Sequence, residues 1–342
     1  MDSATQSAAP LTRRRFLESA FAFSALATLG SARSLADSPH SSAGAGEILM
    51  IGDWGYEDAI AQGRVAAGMR DYAQKHPVRP GALLLLGDNW YGELKDGVAS
   101  PRWQTQFESM YPADTFNCPA YAILGNHDYQ RYPESKVDAE LAYAKKKGTR
   151  WTMPSRWYRF EFPQQNPLIT FLAVDSNMPH PGGLSSIGRD FTLTVQEQAE
   201  QLAWLENELK RPRTTPFLVV MGHHPVFSDG PHGDHATLVR EWDPLFRKYN
   251  VHVYLAGHDH DLQHLEFNGH PTSFFMSGGG GADLYNLKID PSQRGPYANK
   301  VYGFSHLSVT PTAMTLRHLD PEGRLLHAFS KSPDGKVAIV AA

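Results

Sequence analysis

Five short apolar runs of the sequence each end in a glycine that is followed directly by side chains able to bind a metal ion. The five motifs are Gly52-Asp53, Gly87-Asp88-Asn89-Trp90-Tyr91, Gly125-Asn126-His127-Asp128, Gly222-His223-His224 and Gly257-His258-Asp259-His260. Taken singly, each motif is also typical of an ordinary turn or helix cap. Together they offer carboxylate, amide, phenol and imidazole groups without a thiolate, a set that suits iron, zinc or manganese.

The spacing within the last motif favours two neighbouring ions. His258 and His260 are two residues apart, so they project to the same side of an extended segment. Each of two ions could therefore take one of these imidazoles, and Asp259 would face away from them.

The apolar runs before the motifs have the length and composition of strands that are buried on both faces. We predict such strands at 47–51, 82–86, 120–124, 168–174, 217–221 and 251–256. In open α/β sheets the carboxyl ends of the strands converge on a shared crevice, so we expect the five motifs to meet there. The glycines allow a sharp turn and a close approach of the backbone to a bound group.

Helix-length amphipathic segments alternate with these strands, which predicts one layered α/β domain. The predicted helices are 58–75, 135–147, 195–210 and 235–248, and Thr194 and Glu197 have capping-box spacing before the third. Runs near 273–277, 302–310, 314–318 and 325–329 alternate more strongly, which predicts antiparallel or mixed strands. Two stacked sheets flanked by helices would use all of these elements.

The sequence blocks GDWG, GDNWY, GNHD, GHHP and GHDH, in this order, resemble those of the purple acid phosphatases, which are calcineurin-like metallophosphoesterases. The match is close to the small, mammalian-type, tartrate-resistant branch, and it includes the stretches SRWYRFEF and QLAWLENEL. This resemblance implies an α/β four-layer sandwich, in which two mixed β-sheets are flanked by α-helices.

The resemblance also implies a dinuclear metal centre with specific ligands. A ferric ion would be held by Asp53, Asp88, Tyr91 and His260. A second, divalent ion (Fe, Zn or Mn) would share Asp88 and be held by Asn126, His223 and His258. With two aspartates, a tyrosinate and a hydroxide, such a centre keeps a charge of about +1, which would attract a phosphate ester.

The activity implied by the resemblance is that of an acid phosphatase, in which a metal-bound hydroxide attacks a phosphate monoester. His127 is expected to hydrogen-bond the phosphate, and His232 is expected to be a second substrate-side histidine. His232 could also be a solvated loop residue. Two other functions stay open: a phosphodiesterase of the same superfamily, and a non-catalytic exported protein that binds metal or phosphate.

Residues beside the motifs have supporting roles in this interpretation. We expect Asp128 to orient its own motif, His224 to line the pocket without binding metal, and Asp175 to be a cap. The glycine-rich stretch 277–281 is either a small-residue loop near the metals or a plain turn. The segment 176–190 could overhang the crevice and influence substrate preference.

Composition excludes several classes of protein. The 342 residues carry a net charge of −4, so we expect no nucleic-acid partner. The single Cys118 excludes an intrachain disulfide framework and cysteine-rich metal sites. Nine of the 16 histidines lie between His223 and His270, where the last two motifs are found.

The amino terminus resembles a bacterial twin-arginine export signal. Arg13-Arg14-Arg15-Phe16-Leu17 precedes a short apolar run, and cleavage would follow Ala36. A basic disordered arm or an uncleaved anchor is the alternative. Without residues 1–36, which contain four arginines and two acidic residues, the net charge would be −6.

We therefore divide the chain into a signal peptide (1–36), a flexible leader (37–46), a catalytic domain (47–331) and a C-terminal tail (332–342). The expected location is periplasmic or secreted, without stable membrane association after cleavage. The expected partners are small phosphate esters, with inorganic phosphate as the product.

Overall fold

The computed structural model describes residues 46–341 apart from residues 77, 131–134, 179–191 and 289–293. All of them belong to one compact unit, residues 41–342. The signal peptide and the leader, except Gly46, lie outside the described residues, as does most of the segment 176–190. Among the described helices, none is long and apolar enough to cross a membrane.

The first sheet has eight strands and contains both ends of the described chain. Its strands are β1 (Gly46–Ile51), β2 (Ala82–Leu85), β3 (Ala120–Ala122), β4 (Trp151–Thr152), β12 (Phe304–Val309), β13 (Met314–Leu319), β14 (Leu325–Lys331) and β15 (Val337–Ala341). The order across the sheet is β15-β14-β13-β12-β1-β2-β3-β4. Strands β1 to β4 pair in parallel, and β12 joins β1 antiparallel, so the sheet is mixed.

The second sheet has seven strands and is also mixed. Its strands are β5 (Tyr158–Phe162), β6 (Ile169–Ala173), β7 (Phe217–Met221), β8 (Val253–Ala256), β9 (Leu262–Leu265), β10 (Ser273–Ser277) and β11 (Tyr297–Asn299). The order is β11-β9-β10-β8-β7-β6-β5, with parallel pairing from β10 through β8 and β7 to β6.

Six α-helices lie in the described part of the chain. They are α1 (Ile60–Lys75), α2 (Asn126–Tyr129), α3 (Lys136–Tyr143), α4 (Val195–Lys210), α5 (Ala236–Glu241) and α6 (Asp243–Lys248). The capping box predicted for α4 is present, because the Thr194 side chain accepts from the Glu197 amide and Glu197 accepts from the Thr194 amide.

Alternation along the strands of the second sheet separates two apolar layers. Ile169 and Phe171 of β6 belong to a large core shared with β1, β2 and α1. Leu172, one residue on, belongs to a second core with residues of α4, α5 and α6. Since side chains alternate between the faces of a strand, the two sheets pack on each other and helices cover their outer faces. The predicted four-layer α/β sandwich is confirmed.

Two predictions about elements need correction. The helix predicted at 235–248 is divided into α5 and α6 at Trp242, because Pro244 lies at the start of α6 and lacks the amide to continue α5. The predicted tail 332–342 contains β15, which pairs antiparallel with β14. Its backbone hydrogen bonds extend the first sheet beyond the boundary expected at residue 331.

Candidate metal centre

The carboxyl ends of parallel strands from both sheets bring the five motifs together. Asp53 N donates to Gly87 O at 3.0 Å, which joins the segments after β1 and β2. Gly257 N donates to His223 O at 3.0 Å, which joins those after β8 and β7. Gly52 N donates to Ser277 O at 2.7 Å and links the two sheets at this point. The convergence of the strand ends predicted from the sequence is therefore present.

Four predicted ligands form a buried group around the phenol of Tyr91. Its Oη lies 3.2 Å from Asp53 Oδ1, 3.0 Å from Asp88 Oδ2 and 3.0 Å from His260 Nε2. The two carboxylates and His260 offer ligand atoms that all lie within 4.8 Å of one another. This arrangement brings together the side chains predicted to hold the ferric ion.

The other predicted ligands form a second group around the amide of Asn126. Its Oδ1 lies 3.1 Å from His223 Nε2 and 3.0 Å from His258 Nδ1. His223 Nε2 is also 3.4 Å from Asp88 Oδ2, the oxygen that contacts Tyr91. Asp88 is therefore common to both groups, as the predicted bridging ligand would have to be.

The backbone of the centre is strained and tightly packed. Asp53, Asp88 and His258 have positive φ angles of 58°, 51° and 76°, which side-chain-bearing residues rarely adopt. A Cβ on Gly125 would lie 2.2 Å from Asp88 Oδ1, and one on Gly257 would lie 2.6 Å from Asp53 Oδ2. These two positions therefore require glycine, as the predicted close backbone approach demands.

The pKa values of the acidic ligands reflect a buried concentration of negative charge. Burial raises the pKa of Asp53 well above its ordinary value. The charge of His223 lowers this pKa but does not offset the effect of burial. Burial, together with the charges of Asp88 and Asp53, also raises the pKa of Tyr91. Burial alone would raise the pKa of Asp88, but His223 and His127 bring it well below the ordinary value. A bound cation would stabilise all three anions.

Burial favours the neutral form of the imidazoles, although His223 differs from the other two in its final pKa. Burial, followed by the charges of His224 and His223, lowers the pKa of His258. Burial also lowers the pKa of His260. Burial opposes protonation of His223 as well, but Asp88 outweighs it and raises its pKa to about 10. Neutral imidazoles are metal ligands, and a cation bound by Asp88 would remove the attraction that keeps His223 protonated. The donor set thus fits metal ions.

The two predicted substrate-side histidines lie next to this centre. The His127 ring packs on the Tyr91 ring with centroids 4.1 Å apart, and its Nδ1 is 3.0 Å from Gln130 Oε1. The His232 ring packs on His258 at 4.2 Å, and its Nδ1 bonds to Asp259. In both rings Nδ1 has a partner, which leaves Nε2 for a substrate. With 45% of its side chain exposed, His232 is accessible from solvent.

The supporting roles predicted for flanking residues agree with their contacts. Asp128 accepts hydrogen bonds from the amides of Gly125, Asn89 and Trp90, so it orients its own motif and the preceding one. The His224 ring packs on His258 at 4.3 Å with its Nδ1 bonded to Ser176. Asp175 accepts from the amide of Asn177, as a cap would.

Sequence reasoning missed Tyr285, which is part of the wall of the centre. Its ring stacks on His260 at 4.1 Å and lies 5.6 Å from His232. His260 Nδ1 bonds to the carbonyl of Asp283 in the same loop, which fixes the ring with Nε2 toward Tyr91. The loop follows the glycines at 278–281, so its place near the ligands was predictable while the contacts of individual residues were not.

Comparison with known proteins gives consistent matches. The profile of the calcineurin-like phosphoesterases matches residues 46–262. Tartrate-resistant acid phosphatase type 5 of Oryctolagus cuniculus is 31% identical over 261 residues, covering 71% of this chain and 77% of the relative. Purple acid phosphatase 7 of Arabidopsis thaliana is 28% identical over 296 residues, covering 83% and 85%.

Solved structures with the same fold support the architecture alone, because their sequence identities are low. GAP50, the anchor in the inner membrane complex of Plasmodium, superposes with a TM-score of 0.70 at 20% identity, covering 83% of this chain and 88% of that one. The purple acid phosphatase PPD1 of Lupinus luteus gives 0.60 at 15% identity, covering 84% and 54%. Both share the two-sheet arrangement described above.

Proposed function

Because the chain belongs to the calcineurin-like phosphoesterase family, we propose that it is an acid phosphatase that hydrolyses phosphate monoesters at a dinuclear Fe(III)–M(II) centre. The observation that carries the proposal is the contact of Tyr91 Oη with Asp53, Asp88 and His260. A phenol among the ligands is the feature of the purple acid phosphatases that separates them from most other calcineurin-like esterases.

Two ligand groups that share Asp88 support two ions. The first would be held by Asp53, Asp88, Tyr91 and His260, and the second by Asp88, Asn126, His223 and His258. Iron(III) suits the group that contains the phenol and both carboxylates, and Fe, Zn or Mn in the divalent state suits the amide and imidazoles. When bound, the ions supply positive charge for the phosphate and lower the pKa of water to generate the nucleophile.

The protein's own contribution is to orient the substrate and to move a proton. His127, next to Tyr91, would donate from Nε2 to a phosphate oxygen, with Gln130 holding its Nδ1. His232, in its protonated form, would donate a proton from Nε2 to the oxygen of the leaving alcohol, with Asp259 holding its Nδ1 and orienting the ring. These two rings lie beside different ligand groups, next to Tyr91 and His258, as a substrate lying across the centre requires.

We also propose that the enzyme is exported, with residues 1–36 as a twin-arginine signal and small phosphate esters as its substrates. Export of a folded chain allows the metal to be bound before the protein crosses the membrane. A fusion of residues 1–36 to a reporter, with Arg13 to Arg15 changed to lysine in the control, tests this step. Reporter export that does not depend on the arginines would contradict it.

The activity is tested with the purified, metal-loaded protein and two substrates, an aryl phosphate monoester and a bis-aryl phosphodiester. The proposal expects faster turnover of the monoester, with best activity at acidic pH. Faster turnover of the diester would favour a phosphodiesterase. Binding of inorganic phosphate without turnover of either ester would favour a non-catalytic binding protein.

A further inference from the structure

The backbone segment Trp90–Glu93, which carries Tyr91 into the metal centre, has four consecutive carbonyl groups bound by two cationic side chains. Lys136 Nζ accounts for two of them, since it lies 2.8 Å from both Trp90 O and Gly92 O. The other two carbonyls accept hydrogen bonds from the guanidinium of Arg102, which donates to Tyr91 O at 2.7 Å and to Glu93 O at 2.8 Å. The cations thus alternate along the segment.

We propose that Lys136 and Arg102 are positioning residues that together hold the Tyr91 phenol at the metal centre. The inference rests on the proposed function for the role of the phenol. Neither residue belongs to a sequence motif of the centre: Lys136 begins α3 and Arg102 lies ten residues after Gly92.

The amide side of the same segment is also fixed, so a change at the cations acts on an otherwise anchored loop. Asp128 accepts from the Asn89 amide at 3.1 Å and from the Trp90 amide at 2.8 Å. The Tyr91 amide donates to Gly55 O at 2.9 Å, and Arg102 donates to the same carbonyl at 2.8 Å. Arg102 therefore also joins the segments that follow β1 and β2.

The environment of Lys136 indicates a specific use of its charge. Only 2% of the residue is exposed, although burial of a lysine is unfavourable. Burial lowers its pKa to about 8, while the nearby carboxylates of Asp128 and Glu140 favour the charged form. Hydrogen bonds from a charged donor are stronger than neutral ones, so a buried ammonium restrains the two carbonyls more firmly than a neutral group would.

If Lys136 only stabilised the fold, another largely buried cation should have the same effect on the Tyr91 segment. Arg150 provides this comparison. It donates to Phe116 O at 3.0 Å and to Glu108 Oε2 at 2.8 Å, with 11% of its side chain exposed. Neither of these two partners belongs to Trp90–Glu93. Arg150→Met is therefore the matched control for Lys136→Met, which keeps the aliphatic stem and removes the charge.

The first measurement uses metal-free protein, so that it does not depend on the proposed activity. Hydrogen exchange of the amides of residues 89–93 is compared in the wild type, Lys136→Met and Arg150→Met. Loss of two charge-assisted bonds should speed exchange of this segment about tenfold or more in Lys136→Met. Arg150→Met should leave it unchanged. Equal exchange in the wild type and Lys136→Met would overturn the inference.

The second measurement uses iron-loaded protein and the visible absorption expected from a tyrosinate bound to iron. Lys136→Met should shift the band or reduce its intensity per bound iron, whereas Arg150→Met should retain it. An unchanged band in Lys136→Met would overturn the positioning role. If the wild type itself binds iron without a visible band, the proposed function fails at Tyr91, and the exchange experiment still decides whether the cations hold the segment.

A second variant covers the case in which Lys136→Met does not fold. Arg102→Lys keeps the positive charge but lacks the several donors with which arginine serves Gly55 O, Tyr91 O and Glu93 O. It should give faster exchange at residues 91–93 and a changed band. Wild-type exchange and spectrum in this variant would contradict the inference.

Discussion

Asp88 is the side chain on which the proposed centre depends most. One oxygen contacts Tyr91 and His223, and the other accepts from the His127 amide at 2.8 Å. It therefore connects both ligand groups with a substrate-side histidine. The convergence of strand ends in an α/β sheet predicted that these motifs would meet. The roles of the individual residues were implied by the resemblance of the five motifs to those of the purple acid phosphatases. Tyr285 was not predictable, since its stacking on His260 depends on the path of a loop that has no recognisable pattern.

The two ligand groups should lose their metals separately. Asn126→Ala removes the amide that contacts His223 and His258 and leaves Tyr91, Asp53 and His260 in place. We expect the content of the second metal ion to fall by about tenfold or more, while the iron(III) of the first group is retained. Metal analysis of the purified variant provides the measurement.

Asn177→Ala is the matched control for Asn126→Ala. Asn177 is also buried, but it donates to Leu124 O and Asp175 rather than to a predicted ligand. This control should keep both metals. Equal retention of both metals in Asn126→Ala would remove Asn126 from the second site.

His232 should act in catalysis and not in metal binding. His232→Ala removes the proposed proton donor, so kcat should fall by about 10²- to 10⁴-fold. The metal content should stay the same, since His232 belongs to neither ligand group and its Nδ1 bonds to Asp259. Steady-state kinetics on an aryl phosphate, with metal analysis of the same sample, tests the role. A wild-type kcat in His232→Ala would show that His232 is an ordinary loop histidine.

At the level of secondary structure, the glycines that end the strands allow the ligands to approach one another. Gly87, at φ 87°, follows β2 and Leu86, and a Cβ there would lie 2.5 Å from His223 Nδ1. Strand positions and the glycine turns were predictable because buried apolar runs ending in glycine are a strong local pattern. Short edge strands such as β11, with partly exposed residues, lack that pattern and were missed. The division between α5 and α6 was missed because Pro244 lies inside an otherwise helical periodicity.

Gly87→Ala should reduce metal binding through a steric contact. Alanine at this position would displace His223, so the divalent metal content should fall. The positive φ should also reduce the free energy of unfolding by about 1 kcal/mol. Gly148→Ala is the control, because Gly148 has a similar φ of 84° but no atom of the described residues lies within 4 Å of an added Cβ. Unfolding and metal analysis of both variants separate the two effects. Equal metal content would contradict the steric argument.

At the level of the whole molecule, a group of buried histidines links the two sheets. Nδ1 of His264, on β9 of the second sheet, lies 2.9 Å from Nε2 of His327, on β14 of the first sheet. Nε2 of His318, on β13, lies 3.1 Å from the carbonyl oxygen of Gln263. The sequence predicted two stacked sheets from the alternating runs, but not which polar groups would meet between them. That information depends on the relative placement of strands far apart in the chain.

These histidines should make stability depend on pH. Burial, followed by the charge of His264, lowers the pKa of His327 to about 4. The unfolded chain has an ordinary histidine pKa of about 6.5, so between these values it binds more protons than the folded protein. Stability should therefore fall as the pH drops from about 6.5 toward 4, by about 2 kcal/mol at pH 5 from His327 alone.

His327→Gln should make the loss of stability on acidification smaller by about that amount, although it also weakens the contact with His264 at neutral pH. Urea unfolding at pH 7.5 and pH 5 measures the difference. His76→Gln is the control, since His76 is exposed. The same loss on acidification in the wild type and His327→Gln would show that His327 is not the group responsible.

The proposed function depends most on Tyr91 as a ligand of iron in a two-metal centre. The most direct test is metal analysis combined with the visible spectrum of wild-type protein and Tyr91→Phe, purified under the same conditions. We expect about two metal ions per chain in the wild type, at least one of them iron, and a visible band that is absent in a folded Tyr91→Phe protein. A wild type that binds iron without a visible band, or a band that persists in Tyr91→Phe, would contradict it.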